Sequence, residues 1–195
     1  MPRVSEAHLA ARRQQILDAA QRCFTRDGFH NTSMQDVIAE AGLSVGAVYR
    51  YFKSKNDLIT SIAESVVGAA SAMFEELAEH EPALSPTDAA ERAIEFVERQ
   101  TGPDGLFRIA LQVWAEAMRD PALAAFVSDA YSRMRGHFTL LASRARDAGK
   151  LPADADVEAV GAVLFGMVPG YALQRILSAG PDPKTYLAGL RALTS

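Results

Sequence analysis

The residues best suited to chemistry in this chain lie close together: Tyr49, Arg50, Tyr51, Lys53 and Lys55. Two phenolic hydroxyls, a guanidinium and two ammoniums clustered in this way suit contacts to phosphates and to base edges. Just ahead of them, Val45, Gly46 and Ala47 are small, so the backbone there can come close to a groove. A plainer account makes Tyr49 a core residue and the charges a solvated face, because short basic and aromatic clusters are common. Little else in the chain points to chemistry. The four histidines (His8, His30, His80, His137) are scattered, without the helical pairing of a zinc site. A phosphate-cradling glycine loop and a Cys–His pair are both missing from the sequence. The expectation is therefore a protein that is not an enzyme and carries no metal and no cofactor.

What must position the cluster is the stretch from Thr32 to Asp57. Ser33 with Asp36 makes a capping box, which satisfies orphan backbone donors at a helix start. Met34, Val37, Ile38 and Ala41 follow at i, i+3, i+4 and i+7, the apolar stripe of one helix face. Gly42 is the residue best able to take positive φ at the end of that helix. Leu43 is an apolar plug inside the turn, and Ser44 caps a second, short helix over about Val45 to Tyr51. Ser54 with Asp57 then opens a third. Two short helices sharing a tight turn have the geometry of a helix-turn-helix, here over 33–52.

The run GLSVGAVYRYFKSKNDL resembles the amino-terminal signature of TetR-family transcriptional regulators. Ala41, Gly42, Ser44, Gly46, Val48, Tyr49, Tyr51, Phe52, Ser54, Lys55 and Leu58 stand at the matching places. Upstream, Ile16, Leu17, Ala19, Ala20, Phe24, Gly28, Phe29, Thr32 and Ser33 match the family's first helix and the approach to its second. The likeness covers about residues 10–70, and the remainder of the chain carries no such signature. It implies an amino-terminal DNA-binding domain over 1–54 and a ligand-binding and dimerisation domain over 55–195.

Composition agrees with a folded chain of 195 residues, 49% hydrophobic. The single cysteine, Cys23, excludes an intrachain disulfide and a cysteine metal cluster, and it sits on the apolar side of the first helix as a buried thiol. No signal peptide is visible among the Arg- and Gln-rich first residues. The longest uncharged stretch, Ala159 to Gln174, holds Pro169 and three glycines and reads as a buried or subunit-facing helix rather than a membrane span. These features point to the cytoplasm and to no membrane partner. Net charge is −4, yet residues 1–58 carry eight Lys/Arg against six Asp/Glu. The rest carries twelve against eighteen, so the positive end holds the helix-turn-helix.

In chain order, Arg3 lies in an amino-terminal arm, and a first helix runs from about Glu6 to Asp27 with Gly28 ending it. Arg12 and Arg13 near its start either touch phosphates or are solvated. A long helix spans about Lys55 to His80. Further starts fall at Ser85-Pro86, Asp104, Asp120-Pro121, Asp154 or Asp156, and Asp182-Pro183, with stops at Thr101-Gly102-Pro103, Gly149 and Gly180-Pro181. No window alternates with period two, so the reading is all-α, about nine helices, six of them in the body.

Within the body, Phe74, Phe96, Phe107, Leu111, Trp114, Met118, Tyr131, Met134, Phe138 and Phe165 resemble the lining of a small-molecule pocket, against the plainer reading of ordinary core. Arg108, Gln112, Glu116, Tyr131 and His137 are candidate polar anchors. The helix over about Val157 to Ser178 carries Gly161, Leu164, Gly166, Val168, Gly170 and Tyr171, and the last helix offers Leu187 and Leu190. By the family resemblance these two helices pair with their mates in a second subunit, so Gly161, Leu164, Val168, Tyr171, Leu187 and Leu190 are expected at a homodimer interface. The alternative is that they bury only surface within the chain.

The resemblance thus implies a ligand-responsive DNA-binding regulator, most often a repressor, binding a palindromic double-stranded operator as a dimer and released by a small apolar or amphipathic effector. Gly46, Ala47 and Tyr49 would lie nearest bases, Ser33, Ser44, Tyr51 and Lys55 at phosphates, and Arg50 at either, with Val45 on the same helix. An architectural DNA-binding protein on the same fold is the alternative.

Overall fold

A computed structural model describes residues 6–102 and 105–194. Among the described residues the chain forms nine helices and no strand: α1 Glu6–Asn31, α2 Met34–Ala41, α3 Val45–Tyr49, α4 Lys55–Glu79, α5 Pro86–Arg99, α6 Leu106–Ala117, α7 Pro121–Asp147, α8 Val157–Ser178 and α9 Pro183–Thr194. The starts follow the capping chemistry. Ser33, Ser44, Ser54 and Ser85 each accept a backbone amide three residues on, and Asp120 and Asp156 accept two amides each. Arg3 and the helix start at Asp104 lie outside the described residues. The helix after that start is instead capped by Gly105, which offers no side-chain bond.

Two ends depart from expectation. Gly28 does break α1, with φ 82 and ψ 163, but one more helical turn follows to Asn31. The helix-turn-helix's second helix stops at Tyr49 rather than Tyr51, and the chain turns so that the Tyr51 and Phe52 amides both reach the Val48 carbonyl.

Two hydrophobic clusters organise the helices. In the first, Ile16, Phe24, Val37, Val48, Phe52 and Leu58 of α1–α4 meet Ile109 and Val113 of α6 and Leu123 of α7. In the second, α4, α5, α7, α8 and α9 meet around Phe74, Ile94, Met134, Phe138, Leu164 and Tyr171. The long α4 runs through both, and α6 sits between them. By length and composition α4 and α8 would each suffice to cross a membrane; in this fold they pack against other helices of the chain. The crossing of α7 over α8 is tight because of Gly161: a Cβ there would lie 2.8 Å from the Thr139 backbone nitrogen.

Candidate functional site

Helix α3 is short, so its orientation comes from anchors rather than from its own hydrogen bonds. Val48 and Phe52 are fully buried on its inner side, next to half-buried Tyr51. That fixes the outward face as Ser44, Val45, Gly46, Tyr49 and Arg50, with Ala47 half-buried. Val45 is 50% exposed and Tyr49 37%, so both side chains are open to solvent. A Cβ on Gly46 would meet nothing within 4 Å. Nothing inside the chain requires glycine there.

Three expected DNA contacts are placed differently. Ser33 donates its one hydroxyl proton to Asp36 at 2.6 Å and accepts the Asp36 amide at 3.3 Å, so it has no proton left for a phosphate. Ser44, in contrast, only accepts, from Ala47 at 3.3 Å, and its proton remains available. Lys55 is turned inward, its Nζ donating to the Phe29 carbonyl at 2.7 Å and the Thr32 carbonyl at 3.2 Å. It is a cap for the end of α1. Tyr51 packs its ring into the head core, leaving only its hydroxyl for contact. Of the two early arginines, Arg13 stacks over the Phe52 ring at 5.2 Å and donates to Ser61, while Arg12 bonds Gln15. Hydrogen bonds from Ser33 and from Ser54 and the Lys53 backbone hold the carboxyls of Asp36 and Asp57 below the usual carboxylate range, which keeps both caps ionised.

The end of α1 shows where its carbonyls find partners once Gly28 interrupts the helix. Thr32 donates to the carbonyls of Gly28 and Cys23, Asn31 to Asp27, and Lys55 to Phe29. Phe24 is served from the body: Gln112 of α6 donates from Nε2 to its carbonyl at 2.9 Å, and the Gln112 Oε1 accepts the Phe29 amide at 3.1 Å. Gln112 therefore clasps both sides of the break. Further along the same face of α6, Glu116 lies 3.4 Å and Arg119, just past the helix end, 2.9 Å from His30 Nε2. Gln112 and Glu116, read from the sequence as polar anchors for a ligand, hold the reading head instead.

The other face of α6 lines a cavity of about 70 Å³. Seven of the expected lining residues meet there: Phe74, Phe96, Phe107, Trp114, Tyr131, Met134 and Phe165. Four do not. Phe138 is buried behind the wall, 4.9 Å from the Phe74 ring and 5.9 Å from Phe165. Met118 sits past the last turn of α6 and is 87% exposed. Leu111 is half-buried away from the cavity, and Arg108 is exposed, donating to the Gly102 carbonyl. His137 does not line the cavity either. Sequence reasoning missed Ala63, Val66, Val67 and Ala70 of α4, although they share with Phe74 the i, i+3, i+4, i+7, i+11 spacing of one helix face. Burial pushes the Tyr131 hydroxyl up to about 12, so it stays a neutral donor.

The expected dimer interface also needs correction. Gly161, Leu164, Val168, Tyr171 and Leu187 are buried within the chain itself, and Leu190 packs against the same core. Tyr171 donates to Glu98 at 2.8 Å, and Arg175 grips that carboxylate with two bonds of 2.9 and 2.7 Å, tying α8 to α5. On α8, Ala159, Ala162, Val163, Gly166 and Leu177 are exposed and Gly170 and Leu173 half-buried, one stripe at helical spacing, with Val163 66% and Leu177 73% exposed. A Cβ on Gly166 or Gly170 would meet nothing within 4 Å.

Two family profiles match the chain: bacterial regulatory proteins of the tetR family over residues 16–62, and the carboxy-terminal part of BetI-type transcriptional repressors over 86–194. The transcriptional repressor Rv1474c of Mycobacterium tuberculosis is 44% identical over 63 residues, 32% of this chain, which spans about a third of that protein's length. The transcriptional regulator UidR of Escherichia coli K12 is 26% identical over 184 residues, covering 93% of this chain and 90% of UidR. Among solved structures, SmeT of Stenotrophomonas maltophilia in complex with triclosan shares the fold at a TM-score of 0.74, with 24% identity over 87% of this chain and 82% of that one.

Proposed function

The chain belongs to the TetR family of bacterial regulatory proteins, and from that premise we propose that it is an effector-responsive transcriptional repressor that binds a palindromic operator as a homodimer. Residues 1–54 form the reading head and 55–195 the effector and dimer part, and the protein works in the cytoplasm. The observation that carries this reading is the outward face of α3, where Gly46 opens onto empty space between the exposed Val45 and Tyr49. Such a face suits close approach of backbone to a major groove. Gly46, Ala47 and Tyr49 lie nearest bases, Val45 flanks them, and Ser44, Tyr51 and Arg50 hold phosphates. Two heads stand roughly 34 Å apart, one turn of DNA.

The pairing surface is the outward stripe of α8 around Val163, Gly166 and Leu177 rather than the residues first expected. The effector occupies the cavity beside α6, a reading supported by the likeness to SmeT with its triclosan. Binding there favours a state whose α4 and α6 no longer hold the heads at operator spacing, and DNA favours the other state.

The test is fluorescence anisotropy of the purified protein on DNA from its own upstream region, at several salt concentrations. Saturable nanomolar binding with two protomers or more per site and a steep negative salt slope supports the proposal. Gly46→Val should fold normally and lose at least tenfold in affinity. Weak, sequence-indifferent binding, unchanged in Gly46→Val, would refute it.

A further inference from the structure

The base readout open to α3 is narrow, on the reading that this helix enters the major groove of an operator. Over 44–50 the exposed side chains are those of Ser44, Val45, Tyr49 and Arg50, and Gly46 offers only backbone. The side chains that read guanine or adenine by paired hydrogen bonds are Arg, Lys, Asn and Gln. Arg50 alone is of that kind here, and in this reading it stands at a phosphate. Lys53, the next cation, lies past the end of α3 and donates to the Tyr49 carbonyl at 2.6 Å. Ser44 and Tyr49 bring one hydroxyl each, and a hydroxyl that both donates and accepts tolerates more than one base. Hydrogen bonds from this face therefore discriminate weakly among bases.

What the face does offer is an apolar side chain at its leading end. Val45 is the first residue of α3, and in a helix-turn-helix the first residues of the reading helix meet base edges. It is 50% exposed and belongs to neither hydrophobic cluster, so its methyls take no part in the head's own packing. Branching at Cβ restricts its rotamers, so little side-chain entropy remains to be lost on contact. Gly46 beside it adds no side chain that would hold the backbone away from a groove, and Ala47 is shorter and half-buried. Among base edges in the major groove, only thymine carries an apolar group, its C5-methyl. That methyl against Val45 removes apolar surface from water on both sides, whereas the polar edge of another base would lose hydrogen-bond partners there.

We infer that Val45 is a specificity-determining residue, packed against the C5-methyl of a thymine that occurs once in each operator half-site.

Deoxyuridine in place of thymidine keeps every hydrogen bond and phosphate of the pair and removes only that methyl. A tight-binding duplex is first selected by the protein from a random pool, and the thymines of its half-sites are then replaced in symmetric pairs. Anisotropy should find one pair at which uracil weakens binding about fifteenfold, about fourfold for each buried methyl. Val45→Ala should bind the thymine duplex more weakly by a comparable factor and no longer distinguish uracil at that pair, while Val45→Ile should keep the preference. Both variants should retain the parent's helicity and melting temperature, because Val45 lies outside the core. If no thymine pair responds to uracil by more than about twofold, or one responds equally in the parent and in Val45→Ala, the inference is overturned while operator binding stands. If selection returns no duplex bound above the pool, the operator reading itself fails and this inference falls with it.

Discussion

Replacing Gln112 with leucine tests whether the body grips the reading head through α6. The leucine keeps most of the volume and removes both ends of the clasp, the 2.9 Å bond to the Phe24 carbonyl and the 3.1 Å bond from the Phe29 amide. Each stranded group would cost about 1–3 kcal/mol if fully buried; both are partly buried, so a combined loss of about 2 kcal/mol is expected. In a chain of this length each kcal/mol moves the melting temperature by about 2–4 °C, which predicts a drop of about 4–8 °C. Gln112→Glu should do no better, because it keeps the acceptor for Phe29 but sets a carboxylate against the Phe24 carbonyl. Thermal melts followed by circular dichroism read the first effect. Operator anisotropy with and without effector reads the second: the variant's effector response should shrink from the 5- to 150-fold range typical of about 1–3 kcal/mol of coupling. A leucine variant that melts within a degree of the parent would refute the energetic role of the clasp. One that melts lower yet keeps the full effector response would make Gln112 a structural brace and nothing more.

Lys55→Met should cost about 1–2 kcal/mol of stability by uncapping α1, with the salt slope of operator binding unchanged, whereas Arg50→Met should make that slope shallower by about one unit at nearly unchanged stability. Val163→Arg should yield monomers by sedimentation that retain the parent's helicity; an intact dimer would remove the α8 stripe from the interface. Bonds from Arg175 and Tyr171 hold the Glu98 carboxyl below its usual range. Its stabilisation is therefore full above the ordinary glutamate value of about 4.3 and is lost as pH falls through the depressed folded value. Glu98→Gln should lower the melting temperature at neutral pH and flatten its decline below about pH 5, and an unchanged acid limb would sink that assignment.

The helix-turn-helix was legible in the sequence because its determinants are local. The capping box of Ser33 with Asp36 and the cap of Ser54 on Asp57 close within three residues, and Gly42 takes the left-handed conformation, φ 63, that ends α2. What stayed hidden depended on how donors are spent. Ser33 and Lys55 have the right groups for phosphate, but one gives its proton to its own cap and the other reaches back to α1. The seven aromatic and methionine residues that do line the cavity could be named without knowing the fold, since large apolar side chains on several helices must converge somewhere. Met118 could not be excluded, because α6 ends at Ala117, one residue before it, and that end decides its exposure. The dimer face failed for a related reason. Helix α8 is apolar nearly all round, so periodicity does not say which side meets α7. Only the crossing itself separates Gly161, pressed onto Thr139, from Gly166 and Gly170, where a Cβ would meet nothing within 4 Å.

The two faces of α6 set how effector and operator must compete. Phe107, Ala110, Val113 and Trp114 touch the cavity, while Gln112 and Glu116 touch the end of α1, so one rigid helix of 12 residues carries both sets of contacts. If a single displacement of that helix links the sites, the factor by which effector weakens operator binding must equal the factor by which operator weakens effector binding. Both factors are measurable on the same sample, one by anisotropy of labelled DNA and one by Trp114 fluorescence. In Gln112→Leu the two should fall together, by the same ratio, because the clasp sits in neither ligand's site. Unequal factors, or a fall in one alone, would mean that the displaced population is not a single state, and α6 would then be a wall of the cavity and not the link.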